Sequence, residues 1–97
     1  MKSTTEILDI LRTFKAQSAN KYGLRRIGIF GSAARGAQTH HSDVDICYEG
    51  EALSFLTLDY MQNELEKLLG CPVDLVRVRD RMNLRLKERI LKESIYV

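Results

Sequence analysis

Two aspartates one residue apart, Asp43-Val44-Asp45, open an apolar run, and a third, Asp74, interrupts another, Val73-Asp74-Leu75-Val76. An ionised carboxylate among apolar neighbours loses hydration unless a cation or strong donors replace the water. On an extended strand, residues i and i+2 share a face with Cα atoms about 6.5 Å apart, near enough for Asp43 and Asp45 to chelate one or two hard cations. Oxygen-only ligands select Mg²⁺, with Mn²⁺ as the alternative. Mg²⁺ usually takes one or two carboxylates, several waters and substrate phosphate oxygens, so the pair implies a metal that arrives with a nucleoside triphosphate. Asp74 would complete a two-metal site, in which ions ~3.5–4 Å apart serve the attacking and leaving oxygens of an in-line displacement.

An isolated Asp-x-Asp is more often a turn cap beside an edge-strand charge. Gly31-Ser32, ten residues before the pair, changes that balance. Glycine lets a backbone approach a phosphate closely, and successive N–H groups at a turn into a helix make an anion site that a serine hydroxyl extends. With average residue usage, the combined spacing arises by chance in roughly one chain of this length in a thousand. Arg35, at the end of that short helix, is placed either to clamp phosphate or to form a surface ion pair. His40 and His41 read as solvated loop residues, with no Cys or further His beside them to make a transition-metal set. Arg77 and Arg79 follow the Asp74 run and are the basic residues expected nearest the site.

These residues need elements to hold them. Ser3-Thr4-Thr5-Glu6 has capping-box spacing, and Ile7, Leu8, Ile10, Leu11 and Phe14 then recur with helical period, which predicts a helix to about Asn20. After turn residues 20–23, Ile27, Ile29 and Phe30 predict a strand that stops at Gly31, followed by a tight turn into a short helix and a polar loop from Gln38 to Ser42. The next strand, Asp43 to Tyr48, turns Val44, Ile46 and Tyr48 to the core and the two carboxylates to the other face. Leu58, Met61, Leu65, Leu68 and Leu69 mark an amphipathic helix closed by Gly70, and Val73, Leu75, Val76 and Val78 a third strand after Pro72. A final helix from about Asp80 sets Met82, Leu86 and Ile90 on one face, with Arg85, Arg89 and Lys92 elsewhere and Ile95-Tyr96-Val97 as an apolar tip. The order helix, strand, short helix, strand, helix, strand, helix predicts an α/β sandwich, with helices packed on a small sheet whose strand directions these patterns leave open.

The 97 residues, 44% hydrophobic and 29% charged, suit one domain spanning 1–97. The net charge of +2 hides segregation: residues 42–76 carry eight acidic and one basic side chain, and residues 77–97 seven basic and three acidic. The basic tail lacks interleaved aromatics, so direct nucleic-acid binding is not expected. No apolar run approaches the ~20 residues of a bilayer span and the start has no secretory pattern, so a cytoplasmic protein away from membranes is expected. In that reducing compartment Cys47 and Cys71 read as small apolar packers.

Gly31-Ser32, the Asp43-Val44-Asp45 pair ten residues on and Asp74 on a later strand resemble the signature of the DNA polymerase beta-like nucleotidyltransferase superfamily. Gly31-Ser32-Ala33-Ala34-Arg35-Gly36, Ser42-Asp43-Val44-Asp45-Ile46, Pro72-Val73-Asp74-Leu75-Val76 and Ile95-Tyr96-Val97 are similar, more narrowly, to the minimal nucleotidyltransferase (MNT) antitoxins. The loop Thr39-His40-His41 departs from the proline-containing turn usual there. The resemblance implies a nucleotidyltransferase fold with a small mixed β-sheet, Asp43 and Asp45 holding two Mg²⁺ ions, Asp74 completing the catalytic one and assisting hydroxyl deprotonation, and Gly31 and Ser32 holding the β and γ phosphates of ATP. It also implies a hetero-oligomer with a HEPN-type toxin, a helical ribonuclease whose tyrosine receives AMP. Two other readings stay open: a non-catalytic antitoxin that occludes its toxin, and transfer to a small molecule or an RNA end.

Overall fold

The computed structural model describes residues 2–39 and 42–97, so the reading of His40 and His41 lies outside the described residues. Helix α1 (Thr4–Tyr22) starts at the expected capping box: Ser3 Oγ accepts the Glu6 N–H at 3.1 Å and Glu6 Oε1 accepts the Ser3 N–H at 3.0 Å. Each bond satisfies a donor that the helix start or its flank would otherwise leave unpaired. Strand β1 (Leu24–Phe30) leads directly into α2 (Gly31–Arg35); β2 (Val44–Gly50), α3 (Phe55–Leu69), β3 (Val73–Arg77), α4 (Leu84–Glu93) and β4 (Ile95–Tyr96) follow.

The strands form one mixed sheet in the order β3-β2-β1-β4, with β2 antiparallel to β1 and parallel to β3, and β4 antiparallel to β1. Period-two alternation decides which side chains face which layer. Ile27, Ile29, Val44, Ile46 and Tyr48 pack on one face against Ile7, Leu11 and Phe14 of α1 and Met61 and Leu65 of α3. Phe30 and Cys47, on the other face, pack against Ile90, with Met82, Leu86 and Tyr96 around them. Helix α4 therefore caps the second face, the one that also bears Asp45.

Three expectations shift. Ile95-Tyr96 is a strand rather than a loose tip: two residues carry too little alternation to read as one, and the pairing depends on Gly28, where any Cβ would run into the Ile95 backbone. The Val97 N–H extends it by donating to the Ile27 carbonyl at 3.0 Å. The last helix begins at Leu84, not near Asp80, because Asn83 caps it by accepting the Leu86 N–H at 3.0 Å. Leu68, placed by periodicity on the apolar face of α3, is 46% exposed. Both cysteines are free, Cys47 buried and Cys71 half-buried. Among the described residues no helix is long and apolar enough to cross a membrane.

Candidate active site

The sheet register brings the aspartates together. Asp45 stands opposite Asp74 in the parallel β2–β3 ladder and opposite Phe30 in the antiparallel β1–β2 ladder. Asp43 precedes β2 by one residue and shares the Asp45 face. The Val44 N–H donates to the Pro72 carbonyl at 3.0 Å, which ties the start of β2 to the segment entering β3. Just before Asp43, the Thr39 N–H donates to Ser42 Oγ at 3.0 Å and the Ser42 N–H to the Thr39 carbonyl at 3.1 Å. Asp43 and Asp74 are exposed and Asp45 is half-buried.

Gly31 sits at the turn from β1 into α2 with φ +67°, a left-handed conformation that side chains disfavour. A Cβ there would collide with Asp45 Oδ2, so the glycine is required both by the turn and by the carboxylate lying against its Cα. Burial holds the Asp45 carboxyl above its ordinary range; the neighbouring Asp74 and Asp43 charges push it the same way, and Arg89 opposes them. A carboxylate destabilised by desolvation and by like charges is one that a cation would relieve.

Helix α4 supplies two residues that the sequence reading did not select. The Gly31 N–H donates to Glu93 Oε2 at 3.2 Å, and Arg35 Nη1 donates to Glu93 Oε1 at 3.0 Å. Arg35 is thus a surface ion-pair residue and also a neighbour of the glycine turn. One turn back on α4, the Arg89 guanidinium lies 5.7 Å above the centre of the Phe30 ring, with Nη2 beside Gly31 and Asp45. A signal was available for Glu93, which follows Leu86 at i+7 and so extends the Leu86–Ile90 stripe with a charge; Arg89 flanks that stripe and is exposed. Arg77 and Arg79, expected near the site, lie at the other end of β3. Arg77 Nε donates to the Gly50 carbonyl and Arg79 Nη1 to the Arg77 carbonyl, both at 3.1 Å.

Among the described residues, no three or more His, Cys, Asp and Glu side chains are placed so that together they could hold a metal ion. The carboxylates form an open, oxygen-only set on the sheet surface beside a glycine turn that a Cβ would fill. That set suits Mg²⁺ or Mn²⁺ completed by water and phosphate oxygens, and does not suit a metal wanting a closed cage of nitrogen or sulfur. Cys47 is no alternative nucleophile: burial pushes its thiol up to about 11, so it stays protonated at neutral pH.

The nucleotidyltransferase domain family matches residues 8–97. The chain belongs to that family. As a nucleotidyltransferase it is 37% identical, over 98 residues covering all of this chain and 98% of the other, to the protein adenylyltransferase MntA of Thermococcus cleftensis. A candidate minimal nucleotidyltransferase of known structure superposes with TM-score 0.75 at 32% identity, covering 97% of this chain and 95% of that one. A toxin–antitoxin crystal structure with AMP-PNP gives TM-score 0.72 at 25% identity, with coverage of 98% and 72%. The same fold recurs at 22% identity and TM-score 0.67, covering 94% of this chain and 70% of that one, in a complex of MNT antitoxin with tri-AMPylated HEPN toxin from Shewanella oneidensis. The mixed four-stranded sheet packed by helices is therefore the nucleotidyltransferase architecture that the resemblance implied.

Proposed function

We propose that this nucleotidyltransferase is a Mg²⁺-dependent antitoxin that transfers AMP from ATP to a tyrosine hydroxyl of a HEPN-type ribonuclease toxin in the cytoplasm, forming a hetero-oligomer with it. The observation that carries the reading is Asp45 held in register with Asp74 on one side and against Gly31 on the other. The adenylyl donor and the protein acceptor are supported by the relative named protein adenylyltransferase MntA, and the toxin partner by the MNT–HEPN complex of like fold.

Asp43 and Asp45 would hold two ions and Asp74 one of them, while the Gly31 N–H, the Ser32 hydroxyl and Arg35 would meet the β and γ phosphates. When bound, Mg²⁺ supplies charge neutralisation on the phosphates and on the attacking oxygen. Asp74, on the exposed edge of the carboxylate set, takes the proton of the tyrosine hydroxyl. The phenolic oxygen then bonds to the α-phosphorus as the bond to the bridging oxygen breaks, and pyrophosphate leaves. Little covalent work falls to the protein, so rate comes from positioning and charge.

The test is incubation of the chain with the HEPN protein, Mg²⁺ and ATP labelled at the α-phosphate. Label should appear on a toxin tyrosine, toxin ribonuclease activity should fall, and Asp→Asn changes at 43, 45 and 74 should each abolish labelling. An undiminished rate in those variants overturns the assignment. Label on an RNA end or a small molecule instead moves the reading to that acceptor. Protection that persists with Asp43→Ala and Asp45→Ala identifies an occluding antitoxin.

A further inference from the structure

Glu93 holds two groups that the proposed function gives to phosphate. Its Oε2 takes the Gly31 N–H and its Oε1 takes Arg35 Nη1, at 3.2 and 3.0 Å. A backbone N–H has one proton to donate, so Glu93 and a phosphate oxygen cannot both be served at full strength. Arg89, four residues earlier and therefore on the same side of α4, lies beside Asp45, where it opposes the like-charge push from Asp74. Helix α4 thus lays an anion where the phosphates are expected and a cation beside the carboxylates expected to bind metal, in the charge order of a metal–triphosphate.

We infer that Glu93 is an intramolecular competitor of the triphosphate, holding the Gly31 amide and Arg35 until phosphate displaces its carboxylate. The inference rests on the nucleotide-binding reading above. Release of Glu93 leaves the Arg35 guanidinium free to pair with phosphate, with Arg89 close by, so displacement converts an internal ion pair into a cationic approach to the ligand. The Glu93 side chain is 24% exposed and that of Arg35 53%, so the contact is breakable rather than locked in the core. Glu93 is the last residue of α4, with only Ser94 between it and β4.

The experiment is calorimetric titration of the full chain with AMP-PNP and Mg²⁺, comparing wild type with Glu93→Gln and Glu93→Ala. Breaking one charge-assisted contact and one partly exposed ion pair predicts about three- to tenfold tighter binding in both variants. The melting temperature without nucleotide should fall while the nucleotide-induced rise grows. With ATP as substrate, KM should drop and kcat should not rise. Equal or weaker binding in the variants overturns the inference, since a residue that merely positions Arg35 for phosphate would loosen binding when removed. Glu93→Asp, too short to reach both donors, repeats the test should Glu93→Ala fold poorly. Failure of the underlying reading looks different: AMP-PNP bound by neither wild type nor variants, which overturns both.

Discussion

One methyl group at Gly31 would meet two obstacles, a left-handed backbone and the Asp45 carboxylate. Gly31→Ala is therefore expected to cost at least ~1–2 kcal/mol of stability from the backbone alone, and to remove AMP transfer by displacing Asp45. Denaturant midpoints and the rate of AMP transfer check the two parts separately. Asp45→Asn separates stability from activity in the opposite sense. Because the folded protein holds the Asp45 carboxyl above its ordinary range, its proton contributes stability that is fully present below the unfolded pKa and lost as pH rises through the folded one. Without metal or nucleotide, the wild type should lose stability relative to Asp45→Asn as pH climbs from the ordinary aspartate range, about 4, through the raised folded-state pKa, while the variant is inactive. Urea midpoints across that range would show it; parallel curves would contradict it. The aspartates were legible in the sequence because each puts a charge into an apolar run, and Gly31 because it ends a strand-like run at a tight turn. Arg89 and Glu93 conflict with nothing nearby on a highly charged helix; only the place of Glu93 on the Leu86–Ile90 stripe marks it, and nothing local marks the exposed Arg89.

At the scale of elements, α4 covers the sheet face that bears Asp45, and one side chain seats it. Ile90 is fully buried between Phe30 and Cys47, so Ile90→Ala is expected to cost about 2–4 kcal/mol. Thermal melts of the variant beside the wild type check the loss. Helices and strands with strong signals, such as α1 with its capping box and the Val44-Ile46-Tyr48 face of β2, are set by local periodicity and were readable. The β4 pairing and the placement of α4 over the Asp45 face were not. They depend on which face of the sheet remains uncovered once α1 and α3 have packed, a long-range outcome that local pattern does not encode.

Over the whole molecule, the sheet is a shared wall: one side holds the main core, and the other joins α4 to the carboxylates. Ligand binding should then stabilise the molecule as a unit. AMP-PNP with Mg²⁺ at a hundred times its Kd should add about 2.7 kcal/mol to unfolding, and a chelator should abolish the gain. An equal gain without divalent cation would speak against the carboxylates as metal holders. The strand order and the parallel β2–β3 pairing, which create that wall, follow from topology that residue patterns left open. Cys47 lies fully buried on this wall beneath α4, while Cys71 lies half-buried at the margin of the opposite core. The molecule consequently carries a native reporter for its own last helix. In a Cys71→Ser background, the rate at which a thiol reagent modifies position 47 measures how often α4 lifts, and nucleotide should change that rate without any dye having been engineered in.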